Sequence, residues 1–456
     1  MTPRSARTPF VAVPFAYGLS DMPNTSSESS IVVTGLGLVG PLGLTADEYG
    51  QHLLAGESGI RRTDLIKGLA APENVGGQAW GFDDSVTKTV MPKKQRKFVR
   101  VMCREIESGV VSALNAVEHA GLNLDEMDRS RIGVDFGANL MFSPPDVLLD
   151  ACVKCSDENG DFDYDQWGTT GLNVMEPLWL LKYLPNMPAC HISIALDARG
   201  PSNSLTLDEV SGINAISEAC SIIRRGRADV MIAGVTGTRL HPVKSMHVAL
   251  WDDLAQYDSP PETWCRPFDQ SRKGQVVGEG AGTLILERRD HAEARGAEIL
   301  AEVLGTGSSC VMDRSGKGDM VKSLTNAIRA ALSAAGIAPD ELGHVNANAG
   351  GSPSGDAAEA EALHQSLGAK AADIPVTALK SYFGSSGAGC GVYELAGSIL
   401  AGRQGVIPKT LNYESGDSTF PLNVVHGEHA SAGSKLFLKT NVTRIGQAAA
   451  VVFKTA

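Results

Sequence analysis

The order of apolar strands and amphipathic helices constrains this chain more than any other feature. Residues 31–43, IVVTGLGLVGPLG, read as a buried β-branched strand running into a glycine loop. ADEYGQHLLAGESGI follows as a short helix stopped near Gly56, and residues 93–122 as a long amphipathic helix stopped by Gly121. Residues 131–140 are expected as a strand, 190–204 as a strand and a Gly-Pro turn, 208–228 as a helix and DVMIAGVTG as a strand. A second series repeats the alternation. GAGTLILERR and AEILAEVLGTGSS are strands, 320–337 is a helix ending at Gly336, HVNANAGG leads from strand through loop to helix, and AAAVVFKT is a last strand. Such alternation implies an α/β fold with sheets covered on both faces. Two series predict internal duplication, resting on pattern because no sequence repeat is visible.

A chain of 456 residues, 43% of them hydrophobic, exceeds one small core, so two intimately joined halves are expected, 30–290 and 291–456. Residues 1–29, with SDMPNTSSESS, are expected to be a disordered or flexible extension. A net charge of -12 speaks against nucleic-acid binding, which needs a basic face. No stretch reaches the ~18 apolar residues of a membrane span. Eight scattered cysteines fit reduced thiols in a cytoplasmic protein, and the lone C-x-x-C at Cys152 and Cys155 lacks a second pair. The acidic segment SDENGDFDYDQWG, within the irregular 141–185, lacks calcium-loop spacing. No metal and no cofactor is expected.

One stretch poses a chemical question. In SNSLTLDEVSGINA, Glu209 stands at the start of the expected helix, with Thr206 or Asp208 as its cap. A carboxylate there favours the helix dipole, so capping is the plain reading. Adjacent Asp208 and Glu209 are expected to point apart rather than form a dyad. Two glycine-rich loops follow strands: NANAGGSPSGD with Asn348, and LKSYFGSSGAGCG with Lys380, Phe383 and Ser385. Loops at strand ends are where α/β proteins build sites.

In order, VVTGLGLVGPLG, LLAGESGI, GPSNS, IRRGRADVMIAG, RPFDQSRKGQVVGEGAG, NANAGGSPSGD, LKSYFGSSGAG and GVIPKTLN resemble the β-ketoacyl-[acyl carrier protein] synthases, the condensing enzymes of fatty acid and polyketide synthesis. The resemblance runs over residues 31–453. It implies the thiolase-like five-layered αβαβα fold, with two similar halves, each with a mixed, mostly parallel sheet. It also implies a nucleophilic Cys nine residues after Gly200 and fifteen before Arg224. Both counts land on Glu209. The family's first His falls eight residues before Asp356, at Asn348, and its second falls five after Lys380, at Ser385. Arg444, in TRIG, replaces a gating Phe, while Lys380, Asp356 and Glu359 match the family scaffold.

The resemblance therefore implies a synthase framework without Cys-His-His machinery, because a carboxylate cannot be acylated to a thioester. Three functions are open. One is a non-condensing partner of the chain-length-factor type, although those relatives usually carry Gln where Glu209 stands. Another is altered acyl chemistry (decarboxylation, acyl transfer or hydrolysis) with Glu209 as general base. The third is a scaffold without turnover. The implied partners are acyl carrier protein and either a second copy or a catalytic ketosynthase, joined through residues 191–199 read as a strand. KKQRK (93–97) and Arg224, Arg225 and Arg227 are candidate carrier-protein contacts. An open apolar tunnel at Glu209 favours an acyl-handling enzyme. A filled one, with Glu209 hydrogen-bonded to a neighbour, favours the partner subunit.

Overall fold

The computed structural model describes residues 30–66 and 71–456, and the expected N-terminal extension, 1–29, lies outside them. In chain order the first half holds β1 (Ile31–Val39), short β2 (Ile60–Arg62) and β3 (Val75–Gly77), β4 (Ile132–Ala138), β5 (Ser202–Leu205), β6 (Val230–Thr238) and β7 (Val277–Arg288). The second holds β8 (Ala301–Cys310), β9 (His344–Asn346), β10 (Pro375–Thr377), two-residue β11 (Val406–Ile407), β12 (Asn423–Val424) and β13 (Ala430–Ser431), then β14 (Leu436–Val442) and β15 (Gln447–Thr455).

The halves share one topology. In the first, β5–β4 and β4–β6 are parallel while β6–β7 and β7–β1 are antiparallel. In the second, β10–β9 and β9–β14 are parallel while β14–β15 and β15–β8 are antiparallel. The duplication expected from pattern is thus present strand for strand, in mixed sheets. Residues 31–33 of β1 pair with 301–303 of β8 and join the two sheets edge to edge.

Five layers result. Helices Arg104–His119 and Met187–Leu196 cover the outer face of the first sheet, packing with Val134, Phe136 and Ile232. Helices Met320–Ala335 and Pro353–Leu367 cover the outer face of the second. Between the sheets lie Ser211–Arg224 and Cys390–Gly402, whose Ile213, Ile216, Val392 and Leu395 share a core with strands of both halves. Glycine permits the close approaches. A Cβ on Gly37 of β1 would lie 1.8 Å from the Ser112 carbonyl oxygen of the covering helix. No described helix is long and apolar enough to cross a membrane.

Three expectations fail in instructive ways. Residues 190–196 are helical, within Met187–Leu196, and the strand starts only at Ser202. Pro188 at the first helical turn and burial against Arg104–His119 favour helix, and an apolar run of this length does not distinguish the two states. The surface 191–199 is therefore a helix end and turn, and β5 is the outermost strand of its half. The long helix begins at Arg104 rather than near residue 93, because Met102 and Cys103 are extended. Glu105 and Glu107 then stand in its first turn, where the dipole favours acids, and the basic KKQRK run stays outside. The segment 141–185 is not wholly irregular, since Pro145–Lys154 is helical.

Candidate active site

The two central helices begin side by side, and the site forms where the chain enters them. Glu209 does not sit in the first α-helical turn. It lies in a single 3-10 turn, Asp208–Val210, that leads into Ser211–Arg224. Neither Thr206 nor Asp208 caps the helix. Instead the Ser211 hydroxyl accepts from Leu207 N at 2.9 Å. Asp208 has φ 49, outside the helical region, and this turns its side chain toward that of Glu209.

Both carboxylates meet on Arg239, one residue beyond β6. Arg239 Nη2 donates to Glu209 Oε1 at 2.5 Å and to the two Asp208 oxygens at 3.3 and 3.4 Å. Its Nη1 donates to Ser385 Oγ at 2.8 Å and to Gln275 Oε1 at 3.2 Å. The expectation that Asp208 and Glu209 point apart is thus overturned, because it assumed helical geometry that Asp208 does not adopt. The Arg239 and Glu209 side chains are nearly buried, at 8% and 11% exposure, while Asp208 is half exposed. Burial alone would raise the Glu209 carboxyl, but the Arg239 charge outweighs it and holds Glu209 below the usual carboxylate range. Asp208 is raised, by lost hydration at the cavity wall and by the Glu209 charge, and its remaining exposure limits the effect.

A second charged layer lies behind the first. Lys380 Nζ donates to the Asn348 carbonyl oxygen at 2.5 Å and to Asn348 Oδ1 at 2.9 Å, and pairs with Glu394 at 2.7 Å. Lys439 reaches the other Glu394 oxygen at 2.5 Å. Asn441 Nδ2 donates to Asn348 Oδ1 at 2.9 Å, and Glu359 accepts from Asn348 N at 2.9 Å and from Thr440 Oγ1 at 2.7 Å. Asp356 accepts from Phe268 N, Gly350 N and Gly351 N, which pins the glycine loop. Asn348 is thus held as an acceptor by two donors, and its own Nδ2 makes only a long 3.4 Å bond to Val442 O.

A cavity of about 290 Å³ gathers Asp208, Glu209, Arg239, Asn348, Asp356, Lys380, Ser385 and Arg444 in its wall. Arg444 lies over the Trp251 ring at 5.0 Å, 3.9 Å from Asp252, at the cavity rim. Two expected pocket residues are elsewhere. Phe383 is in the core, edge-on to Tyr393 at 4.8 Å, because its short helix turns the ring away from the cavity. Glu359 is buried and reaches the site through Asn348 N rather than by lining the cavity.

The residues missed from sequence are Arg239, Gln275, Glu394, Lys439 and Asn441. Signals existed for two of them. Glu394 is a lone acid in the apolar helix run CGVYELAGSIL, and Lys439 is a lone base in the strand LFLKTNV. Charges in such runs need buried partners. Arg239 follows a strand end and carries no comparable mark. The site contains no reactive thiol. Cys390 is buried, accepts from Ser386 N at 3.2 Å, and burial pushes its thiol up. All eight cysteines are unpaired. No group of three or more His, Cys, Asp or Glu among the described residues is placed to hold a metal ion.

A fold of two duplicated halves, with a polar cavity where two central helices begin, defines a class of thiolase-like proteins. The family model for the β-ketoacyl synthase N-terminal domain matches residues 28–292, and that for the C-terminal domain matches 300–414. This chain belongs to the β-ketoacyl synthase family. It is 30% identical over 399 residues to 3-oxoacyl-[acyl-carrier-protein] synthase 2 of Coxiella burnetii, covering 87% of this chain and 92% of that protein. It is 29% identical to the protein of the same name from Vibrio cholerae, covering 88% and 92%. Among solved structures, a β-ketoacyl synthase from Burkholderia phymatum superposes with TM-score 0.79 at 26% identity, over 94% of this chain and 99% of that one. The ishigamide ketosynthase/chain length factor superposes with TM-score 0.80 at 24% identity over the same shares, a likeness of fold.

Proposed function

We propose that this chain is a non-condensing subunit of the chain-length-factor type, which works beside a catalytic β-ketoacyl synthase in fatty acid or polyketide synthesis. The observation that carries the reading is the Glu209–Arg239 ion pair. Glu209 stands where the family resemblance places the nucleophile, and a carboxylate there forms no thioester. Arg239 also binds Ser385, where the resemblance places the second histidine. Glu209 is charge-neutralised, in the wall of a polar cavity rather than an apolar tunnel.

The curated relatives at about this identity carry the name of condensing synthases, so the departure rests on the residues at 209, 348 and 385. The general-base alternative gains less support. A base working near neutral pH needs a pKa close to that pH, and Arg239 holds Glu209 below the usual carboxylate range. The exposed basic residues Lys93, Lys94, Arg96, Lys97, Arg224, Arg225 and Arg227 are the surface on which an acidic acyl carrier protein would dock.

Mass spectrometry of malonyl- and acyl-loaded carrier protein, incubated with this chain, with Glu209→Gln, and with either protein plus a catalytic synthase, tests the reading. No turnover is expected from either protein alone, with a synthase-dependent effect on product length. Turnover by the protein alone that Glu209→Gln abolishes would overturn it.

A further inference from the structure

The first sheet ends on an open edge. β5 is the last strand in the order and, among the described residues, pairs with β4 alone. Its other side presents backbone N–H and C=O groups, a template for a strand from another chain. Ser204 Oγ of β5 donates to Pro185 O at 3.3 Å, which brings the segment before helix Met187–Leu196 beside the edge. Leu178 and Leu180 of that segment and Ile194 of the helix are each about half exposed. Apolar side chains grouped at an open strand edge mark a surface that another chain covers.

Beneath this edge lies an acid with no partner. Val134 and Phe136 of β4 pack on the outer helices, so Asp135 between them points to the inner face, toward helix Ser211–Arg224. Asp135 is fully buried, and neither of its carboxyl oxygens has a hydrogen-bond partner. Its parallel register partner is Asn203 of β5, whose Nδ2 donates to Glu218 Oε2 of that helix at 2.9 Å. Burial, with the like charge of Glu218 added, pushes the Asp135 carboxyl up to about 8, and no cation of the described residues counters it. A buried acid without a donor is costly to keep in a free chain.

A strand laid along β5 sets its own side chains beside Asn203 on this face. If that strand were β5 of a second copy, a two-fold pairing would set Ser202–Leu205 against itself and bring up a second Asp135–Glu218 pair. Those four residues carry two hydroxyls, an amide and an isobutyl group, but no cation. Two acid pairs would then face each other with nothing to neutralise them. A strand with Lys or Arg at the matching place supplies what both acids lack. We infer that the Asp135–Asn203–Glu218 cluster selects the chain that docks on β5: a non-identical chain whose own edge strand carries a Lys or Arg, in preference to a second copy. The inference rests on reading this chain as a partner subunit, and it states the chemistry of the chain it accepts.

Sedimentation velocity and native mass spectrometry near neutral pH test it, with variants of the full chain as probes. Asp135→Ala/Glu218→Gln removes both acids and adds no cation. It is expected to self-associate at least about tenfold more tightly than the native chain, because the like-charge penalty is gone. Asp135→Ala/Asn203→Lys/Glu218→Gln presents a basic edge. Mixed with the native chain, it is expected to form a one-to-one pair at least about tenfold tighter than the native chain forms with itself. A native chain that self-associates as tightly as Asp135→Ala/Glu218→Gln would overturn the inference. So would a mixture with the basic-edge variant that is no tighter than the native chain alone. If Asp135→Ala loses the native near-UV circular dichroism, Asp135→Asn is read in its place in both variants. Turnover of acyl carrier protein by the chain alone would sink the proposed function and leave these association constants unchanged.

Discussion

Arg239 places its guanidinium 2.5 Å from the carboxylate of Glu209 and 2.8 Å from the hydroxyl of Ser385. One side chain thus bridges Glu209 and Ser385, the positions where the family resemblance places a nucleophile and a histidine. Glu209, Arg239 and Ser385, far apart in the sequence, are one hydrogen-bonded unit in the structure. The Arg239–Glu209 ion pair holds this unit together.

The unit should behave as one in a double-mutant cycle. Arg239→Ala leaves a nearly buried Glu209 without its counter-ion and is expected to cost about 3–5 kcal/mol. Glu209→Gln keeps a hydrogen-bond acceptor and leaves Arg239 its Asp208 contact, so its cost should be smaller. The double variant Arg239→Ala/Glu209→Gln should be more stable than Arg239→Ala alone. Urea unfolding of the four proteins checks this, and additive costs would mean that the two residues do not couple.

Glu394 should matter more to folding than Glu209 does. It is fully buried and neutralises both Lys380 and Lys439. Glu394→Gln leaves two buried ammonium groups facing one neutral amide, a loss expected to reach or exceed about 3–5 kcal/mol. Lys439→Met is expected to be milder, because the pair Lys380–Glu394 survives it. Thermal unfolding of both variants ranks them, and a reversed order would contradict this account of the network.

The fold was legible because strands and helices here carry their own punctuation. Gly56 and Gly336 stop their helices with φ 72 and 67, as their positions after apolar-periodic runs imply. Met187–Leu196 was misread because it is apolar on all sides, so periodicity carries no information about it. At the site, Glu209, Asn348, Ser385, Lys380 and Asp356 could be placed only through the family resemblance of the motifs around them, and they do line one cavity. Arg239 could not, since its importance comes from tertiary proximity across 30 residues to Glu209 and 146 to Ser385. The relation of Asp208 to Glu209 was missed for a local reason, the positive φ at a non-glycine residue.

Acid should unfold this protein partly through Glu287. Burial would raise its carboxyl, but bonds from His291, Arg295 and Thr34 outweigh that and hold it at about 2 against an ordinary 4.5. The folded value lies below the unfolded one, so the stabilisation is complete above 4.5 and disappears as the pH falls toward 2. The difference corresponds to roughly 3 kcal/mol. Glu287→Gln should therefore lower the urea midpoint strongly at neutral pH and much less near about pH 3. An equal loss at both would remove Glu287 from the acid response.

Installing a Cys-His-His set at positions 209, 348 and 385 should fail while Arg239 remains. The variant Glu209→Cys/Asn348→His/Ser385→His restores the residue types that the family resemblance places at these positions. Arg239 Nη1 now lies 2.8 Å from Ser385 Oγ, so an imidazole introduced there would meet a fixed cation. A nearby positive charge lowers an imidazole pKa and competes for the same space. No 3-oxoacyl product is expected from the triple variant when malonyl- and acyl-carrier proteins are supplied and the carrier is weighed intact. Addition of Arg239→Ala removes the cation and frees the space beside position 385, and measurable product is expected from that quadruple variant. Product from the triple variant at an equal rate would show that Arg239 does not close the site.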